Sequence, residues 1–221
     1  KGNFTYDENS LPANSANIAV AVAHDVDDDG DLDLFVGAPS VPLNYGVTPK
    51  SNLLSNDGHG NFRDMASVLN PSLASLGMVT GAVWANVTGD KRPELVVVGD
   101  WMGPRIFSFA SGKASEIKTN LSSMKGWWQS VAAADLDQDG YDDLVLGNMG
   151  ENFYLRPDST HPVKLWINDF DGNGNVEKVF TRTINDRDVP VFLKRELTDQ
   201  LPSLKKQNLQ HAQYASRSIQ E

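Results

Sequence analysis

The hydrophobic positions of the chain fall in short runs that are rich in Val, Ala and Leu and are separated by polar turns. Residues 18–25 read IAVAVAHD and residues 32–39 read LDLFVGAP, and a second pair of runs reads WWQSVAAAD at 127–135 and DDLVLGN at 142–148. Runs of this length are too short for helices, and they end at turn residues. The pattern therefore predicts buried β-strands that come in pairs.

The strand pairs recur along the chain, which indicates a repeat. A hairpin follows the first pair, because the cluster NDGHGN at 56–61 is a turn between two further extended segments. Units of roughly 50 residues with four short strands are typical of β-propeller blades, each buried against its neighbours. We therefore predict an all-β protein of four-stranded antiparallel blades at about 18–66, 78–118 and 127–187, which together form a partial propeller at 1–187.

The last part of the chain, residues 188–221, loses this alternation. Leucines fall there at roughly helical intervals, and Pro202 with Ser203 is a signal for a break and a restart. The leucines are Leu193, Leu197, Leu201, Leu204 and Leu209. The pattern predicts a C-terminal extension of two short helices, whose apolar faces need a surface to cover them.

An acidic decapeptide occurs twice, as DVDDDGDLDL at 25–34 (loop 1) and DLDQDGYDDL at 135–144 (loop 3). Both copies place carboxylates at loop positions 1, 3, 5 and 9, and the glycine at position 6 allows the turn. Carboxylates this close repel one another unless a cation binds, and Ca²⁺ accepts six to eight oxygen ligands in a flexible shell. The predicted ligands are Asp25, Asp27, Asp29 and Asp33 in loop 1 and Asp135, Asp137, Asp139 and Asp143 in loop 3.

Two weaker copies follow the same spacing. The predicted ligands in loop 4, at 169–177, are Asp169, Asp171, Asn173 and Glu177. Loop 2, at 86–95, keeps oxygen-bearing residues at Asn86, Thr88, Asp90 and Glu94. It has only two carboxylates and lacks the glycine, so we expect it to be weak or empty. The predicted set is completed at position 7 by Asp31, Tyr141 and Asn175, and the chain is expected to bind about three Ca²⁺ ions.

The EF-hand is the obvious alternative, because its twelve-residue loop begins in the same way. An EF-hand loop ends with a bidentate Glu at position 12 and lies between two amphipathic helices. Position 12 is Val36, Leu146 and Phe180 in loops 1, 3 and 4, and the flanking segments are strand-like. The loops are therefore predicted to connect one strand to the next.

Composition limits the classes of partner and compartment. The formal net charge is −10, and three Ca²⁺ ions would offset more than half of it, so the acidity is largely explained by metal. A nucleic-acid partner is not expected, because that would require a basic face. The chain has no Cys and no apolar stretch near the length of a membrane span. Calcium loops suit extracytoplasmic surroundings, and the beginning KGNF leads us to expect a fragment of a longer protein.

The motif DVDDDGDLDLFVGAP resembles the FG-GAP repeat, which is of the integrin α type and is also called VCBS-like. Further motifs, including SNLLSNDGHGNFRDM, GWWQSVAAADLDQDG, PVKLWINDFDGNG and RELTDQLPSLKK, occur in the order seen in bacterial FG-GAP proteins of the ASPIC/UnbV type. These are similar to the cartilage acidic proteins. The resemblance implies an exported, calcium-binding β-propeller, and among individual residues it implies a role only for those of the loops.

Two classes of function are compatible with these observations. The favoured one is a non-enzymatic scaffold or adhesion module at the cell surface or secreted, whose loops bind an unknown protein or glycan. The alternative is a calcium-dependent polysaccharide-active enzyme of the lyase kind, or a carbohydrate-binding module. No catalytic motif or nominated base supports the enzyme. Because 221 residues supply roughly four blades, too few for a seven-bladed ring, we also expect self-association through exposed blade edges.

Overall fold

The chain folds into two compact units in a computed structural model that describes residues 2–3, 5 and 7–221. Unit 1 comprises the chain up to Leu43 together with Val47–Met149, and unit 2 comprises Asn44–Gly46 and Gly150–Glu221. Antiparallel sheets dominate the described residues, with only a few short helices. The predicted all-β class is therefore confirmed. Within neither unit do the described residues close a ring of blades.

The first sheet of unit 1, blade 1, has four antiparallel strands in sequence order. They are β1 (Val20–His24), β2 (Asp33–Gly37), β3 (Asn52–Asn56) and β4 (Phe62–Asp64). The β3–β4 connection is the predicted turn, in which an Oδ1 atom of Asp57 accepts hydrogen bonds from the backbone N–H groups of His59 and Asn61 at 2.9 and 3.1 Å.

Two single-turn helices, α1 (Ala66–Leu69) and α2 (Pro71–Ala74), follow blade 1 and were not predicted. Asn70 caps α2, because its Oδ1 accepts from the backbone N–H of Ser72 at 3.0 Å and Pro71 occupies the first helical position. Ala66 and Leu73 are fully buried. These helices therefore contribute to the core of unit 1 instead of forming a polar linker.

The second sheet of unit 1 has six strands. They are β5 (Met78–Ala85), β6 (Glu94–Met102), β7 (Arg105–Ala110), β8 (Lys113–Ile117), β9 (Gly126–Ala134) and β10 (Asp143–Asn148). The first four form blade 2, and β9 joins the end of β6 where Asp100 pairs with Trp127 and Met102 with Gly126. The β9–β10 pair, called blade 3 here, has no third or fourth strand among the described residues, and β10 is the outermost strand of the sheet.

Alternate residues of each blade pack in opposite directions. One core cluster joins Phe35 and Leu53 of blade 1 to Leu95, Val97 and Phe107 of blade 2. A second cluster joins blade 2 to blade 3 through Ala85, Val96 and Ile106 on one side and Val131, Ala133 and Leu144 on the other. Blade 2 thus packs one face on blade 1 and the opposite face on blade 3.

An ion pair links β7 and β8 in blade 2. The Arg105 guanidinium donates from Nε and an Nη atom to both carboxylate oxygens of Glu116, at 2.8 and 3.0 Å, and Lys118 lies 2.8 Å from the same carboxylate. These donors lower the pKa of Glu116 to about 2. The Glu116 side chain is only 15% exposed, so solvent weakens this pair less than an ordinary surface pair.

Glu116 is therefore expected to contribute acid-sensitive stability. Its folded-state pKa lies below the usual 4.5, so the stabilisation is complete above that pH and is lost as the pH falls from 4.5 toward 2. We expect Glu116→Gln to lower the free energy of unfolding by about 2–3 kcal/mol at pH 7 and by far less at pH 2. Denaturant titrations across this range test it, with Glu151→Gln at an exposed turn as the control. Equal losses at both pH values would contradict the assignment.

The sheet of unit 2 has three antiparallel strands, followed by three helices. The elements are β11 (Val163–Asn168), β12 (Glu177–Ile184), β13 (Arg187–Pro190), α3 (Lys194–Gln200), α4 (Leu204–Gln207) and α5 (His211–Ala215). Val179 of β12 packs with Leu197 and Leu201 in a buried cluster that Trp166 and Leu204 also contact. The helices therefore cover one face of the sheet. Leu193 and Leu209 do not take part, since they are 71% and 78% exposed.

The helical part begins later than residue 188. Asp188 and Pro190 lie in β13, which pairs with β12 after a tight turn at Asn185 and Asp186. Both turn residues have positive φ, 49° and 59°, as a hairpin turn requires, and Asn and Asp tolerate that conformation better than most residues. This hairpin signal was present in the sequence and was missed.

Candidate metal centres

Four loops in the chain each connect two antiparallel strands, and the strands pair at the same loop positions in all four. The residue before each loop pairs with the residue at loop position 9, as His24 does with Asp33 and Ala85 with Glu94. The corresponding pairs are Ala134 with Asp143 and Asn168 with Glu177. The four spacings read from the sequence therefore correspond to four equivalent strand-to-strand connections. Loops 1, 2 and 3 lie in unit 1 and loop 4 in unit 2.

The side chain at position 1 organises each loop from within. In loop 1, the two carboxylate oxygens of Asp25 accept from the backbone N–H groups of Asp29 and Gly30 at 3.2 and 3.0 Å. Asp135 and Asp169 accept the equivalent pair in loops 3 and 4, at 2.9 to 3.1 Å. These hydrogen bonds wrap the backbone around the first carboxylate.

The side chain at position 9 closes each loop at its base. A carboxylate oxygen of Asp33 accepts from the N–H of Val26 at 2.9 Å, and Asp143 accepts from Leu136 at 3.0 Å. The same bond joins Glu177 to Phe170 at 2.8 Å and Glu94 to Val87 at 3.0 Å. Asp and Glu both reach this donor, which explains how the repeat accommodates either residue.

The backbone has positive φ at positions 4 and 6 in all four loops. Position 6 is Gly30, Gly140 and Gly174 in loops 1, 3 and 4, with φ between 86° and 95°. Loop 2 has Lys91 there, with φ 69°. A residue with a Cβ atom is strained in this conformation, so loop 2 keeps the shape of the other loops at a cost in backbone energy.

We expect Lys91→Gly to raise the free energy of unfolding by about 0.5–1 kcal/mol, because removal of the Cβ strain outweighs the greater freedom of glycine in the unfolded chain. Lys91→Ala serves as the matched control, since it removes the charge and keeps the Cβ atom. Chemical denaturation of the two variants measures the difference. If alanine stabilises as much as glycine, the charge and not the backbone is responsible.

Three of the four loops gather acidic side chains closely enough to hold a metal ion. In each, one oxygen from each of three residues lies within 4.8 Å of the others. The groups are Asp25, Asp27 and Asp29; Asp135, Asp137 and Asp143; and Asp169, Asp171 and Glu177. All donors are carboxylate oxygens, the type that hard cations such as Ca²⁺ prefer. Several acidic clusters of this chain could therefore bind a metal ion.

Other predicted ligands lie in the same loops but outside these groups. Asp139 and Asn173, at position 5, accept from the backbone N–H at position 7 at 2.9 and 2.7 Å. Asp33 is 2% exposed and uses both oxygens for backbone donors, Val26 and Asn56. In each of these loops, the backbone N–H at position 7 donates to the side-chain oxygen at position 5. The position-7 residues are Asp31, Tyr141 and Asn175.

The crowding of carboxylates has an electrostatic consequence in loop 1. Burial, together with the neighbouring carboxylates of Asp33, Asp29 and Asp25, raises the pKa of Asp27 above its usual range. Ionising Asp27 therefore costs free energy unless a positive charge lies nearby. A bound cation would remove that cost, so the donor set of loop 1 fits a hard divalent ion.

Loop 2 keeps the loop shape without the carboxylate cluster. Its position-1 residue is Asn86, whose side-chain oxygen accepts from Gly89 and Lys91 at 3.0 and 3.2 Å. Glu94 is 1% exposed, and it accepts from the N–H groups of Val87 and Thr88 and from the Thr88 hydroxyl. Loop 2 thus has only two carboxylates, those of Asp90 and Glu94, and it is not among the loops that gather three acidic side chains.

Loop 2 is also joined to loop 3, a contact that was not predicted. The backbone N–H of Asn86 donates to the Asp142 carboxylate at 2.8 Å, and the N–H of Asp142 donates to the Asn86 carbonyl at 2.9 Å. The Asn86 amide also donates to the carbonyl of Gly140 at 3.3 Å. Loops 2 and 3 therefore form one connected surface of unit 1.

A cavity of about 340 Å³ lies beside loop 1 in unit 1. Its walls include Asp27 and Asp33 of loop 1, the apolar side chains of Leu53 and Phe109, and Lys113. Arg92 of loop 2 also lines it and pairs with Asp28 of loop 1 at 2.7 Å. Sequence reasoning missed this cavity, because its walls come from five separated segments of the chain.

Among the described residues, no helix has the length and apolar character needed to cross a membrane. No curated protein matches the chain. Sequence models of two repeats do match it: the FG-GAP-like repeat at residues 25–97 and 86–146, and the FG-GAP repeat at residues 127–166. The first two matches begin at loops 1 and 2 and together span more than half of the 221 residues. The repeated loop geometry and these matches agree, and the chain belongs to the FG-GAP repeat family.

Proposed function

We propose that this chain is a calcium-binding FG-GAP module of an exported protein, and that it acts as a non-enzymatic scaffold, adhesion or ligand-recognition domain. FG-GAP repeats are typically ligand-binding or scaffold modules, are generally non-catalytic and are common in extracellular proteins. The order of motifs in the sequence supports an origin in a protein of the ASPIC/UnbV type, similar to the cartilage acidic proteins.

The observation that carries the proposal is that the same kind of acidic cluster occurs in three loops. Each of these loops connects two paired strands at the same loop positions. Ca²⁺ would be held in loop 1 by Asp25, Asp27, Asp29 and Asp33, with equivalent residues in loops 3 and 4. Bound there, the ion would neutralise the carboxylates and fix the connection between two strands. Calcium in this role stabilises the protein and presents the surrounding loops to a partner in one conformation.

Calorimetric titration of chelator-stripped protein with Ca²⁺ tests this proposal. We expect about three ions to bind, with one lost in each of Asp27→Ala, Asp137→Ala and Asp171→Ala. Loop 2 is expected to contribute no ion, so Asp90→Ala is the control that should leave the stoichiometry unchanged. Absence of calcium binding in the wild-type protein would overturn the proposal.

The cavity beside loop 1 favours a second candidate, recognition of an acidic glycan. An ion held by Asp25, Asp27 and Asp29 would lie beside the cavity that Asp27, Arg92 and Lys113 line. A cation with two basic groups suits a sugar carboxylate. Binding of an oligouronate should then require calcium and weaken at least tenfold in Lys113→Ala. Equal binding of oligouronate and a neutral oligosaccharide would count against this candidate.

A further inference from the structure

Loop 2 contacts three successive residues of loop 3. Backbone groups of Asn86 exchange hydrogen bonds with Asp142 at 2.8 and 2.9 Å, and the Asn86 side-chain NH2 group donates to the Gly140 carbonyl at 3.3 Å. Between these two residues, the ring of Tyr141 lies so close to the Cα atom of Gly89 that a Cβ atom there would overlap it. Positions 6, 7 and 8 of loop 3 therefore each have a partner in loop 2.

The amide at position 86 serves both loops at once. Asn86 occupies loop position 1, where the other three loops have aspartate. Its side-chain oxygen accepts from Gly89 and Lys91 and keeps the shape of loop 2, while its NH2 group faces the Gly140 carbonyl. An aspartate could accept the first two bonds, but a carboxylate has no donor for a carbonyl oxygen. At position 1, loop 2 thus has a donor toward loop 3 in place of a carboxylate.

Loop 1 is held in a different way, by the β3–β4 turn of its own blade. The Asn56 side chain donates to the Leu32 carbonyl at 3.3 Å, and the Asn56 backbone N–H donates to the Asp33 carboxylate at 2.9 Å. Loop 2 meets loop 1 at the Arg92–Asp28 ion pair, whose side chains are 60% and 69% exposed, and pairs this exposed contribute little. A change in the contact between loops 2 and 3 should therefore affect loop 3 and spare loop 1.

We propose that Asn86 is a positioning residue for calcium in loop 3, and that loop 2 is a metal-free brace for that loop. The inference rests on the proposed function, because it concerns a calcium site in loop 3. Residues 140–142 lie between the proposed ligands Asp139 and Asp143, and Gly140 also donates its N–H to Asp135 at 3.0 Å. The affinity for an ion falls with the fraction of molecules whose loop has the binding conformation. Contacts that hold residues 140–142 in place raise that fraction.

Calorimetric titration of variants with one remaining site tests this inference. Asp27→Ala with Asp171→Ala leaves loop 3 as the one proposed site, and Asp137→Ala with Asp171→Ala leaves loop 1. Asn86→Ser removes the NH2 donor, keeps a side-chain oxygen and does not change the charge. It should weaken calcium binding about fivefold at loop 3 and should leave the Kd of loop 1 unchanged. Asp90→Ala, which removes a hydrogen bond internal to loop 2, is the matched control and should leave both Kd values unchanged.

The possible outcomes separate this inference from the proposed function. An unchanged Kd of loop 3 in Asn86→Ser would overturn the inference and leave the proposed function standing. Equal weakening at loops 1 and 3 would overturn it too, because the substitution would then act on unit 1 as a whole. A wild-type protein that binds no calcium would refute both. If Asn86→Ser does not fold, Tyr141→Ala takes its place: it removes the ring from Gly89, leaves loop 2 unaltered and should weaken binding at loop 3 alone.

Discussion

In calcium, Asp29→Asn is expected to melt about 5–10 °C below the wild-type protein. Asp29 belongs to the carboxylate group of loop 1, so its replacement weakens the ion that we propose binds there. A site at a hundredfold excess of free ligand over its Kd stabilises the folded state by about 2.7 kcal/mol, and about 1 kcal/mol corresponds to roughly 2–4 °C for a domain of this size. Thermal unfolding followed by circular dichroism measures the shift.

The same substitution is expected to have no destabilising effect after chelation. Without an ion, loop 1 contains carboxylates that repel one another, as the raised pKa of Asp27 indicates, and removal of one charge relieves that repulsion. Asp90→Asn is the matched control: Asp90 also occupies position 5 and accepts the same backbone hydrogen bond at 2.9 Å, but it lies in loop 2. A calcium-dependent loss in Asp90→Asn as well would contradict the distinction between the loops.

Glu94→Ala is expected to lower the free energy of unfolding by about 3–5 kcal/mol, independently of calcium. Glu94 is buried at the base of loop 2 and accepts three hydrogen bonds, two from backbone N–H groups and one from the Thr88 hydroxyl. Truncation leaves these donors without an acceptor and creates a cavity beneath the loop. Denaturant titrations with calcium and with chelator should give the same loss.

Two further variants locate the source of this loss. Thr88→Val removes only the hydroxyl hydrogen bond and should lower the free energy of unfolding by about 1 kcal/mol. Glu94→Gln retains the size of the side chain and one acceptor oxygen, so its effect should fall between those of the other two substitutions. A loss in Glu94→Ala that disappears on chelation would mean that loop 2 binds calcium after all.

The loops could be predicted because their signals are local. Position 1, the glycine at position 6 and the acid at position 9 lie within nine residues of one another. The hydrogen bonds that all four loops share are made within each loop. The runs of apolar residues on either side of each loop then indicated where the strands lie. Glu177 was assigned to position 9 of loop 4 from its spacing, and the structure shows that Asp and Glu accept the same backbone hydrogen bond there.

Features that depend on distant residues could not be predicted. Asn86 and Asp142 are 56 positions apart, and no local pattern in either loop indicates that they meet. The same is true of the Arg92–Asp28 pair and of the cavity beside loop 1. The short helices at 66–74 were missed because each is a single turn, which is below the length at which hydrophobic periodicity can be read.

The leucine pattern near the end of the chain was interpreted only partly correctly. Spacing alone cannot distinguish Leu197 and Leu201, which pack on Val179, from Leu193 and Leu209, which face solvent. The three buried or partly buried leucines share a surface because two helices meet over β12. That arrangement depends on tertiary contacts, and the one-dimensional spacing does not contain it.

The helices that pack on Val179 have a consequence for how such chains can lengthen during evolution. Val179 is the eleventh residue of its repeat, the position that in blades 1 and 2 contacts the next blade. In the sheet of unit 2, Leu197 and Leu201 already occupy that place. A repeat inserted between β13 and α3 would therefore have to displace the helices from the sheet. On this sheet, the helical segment takes the place that a following blade has in unit 1.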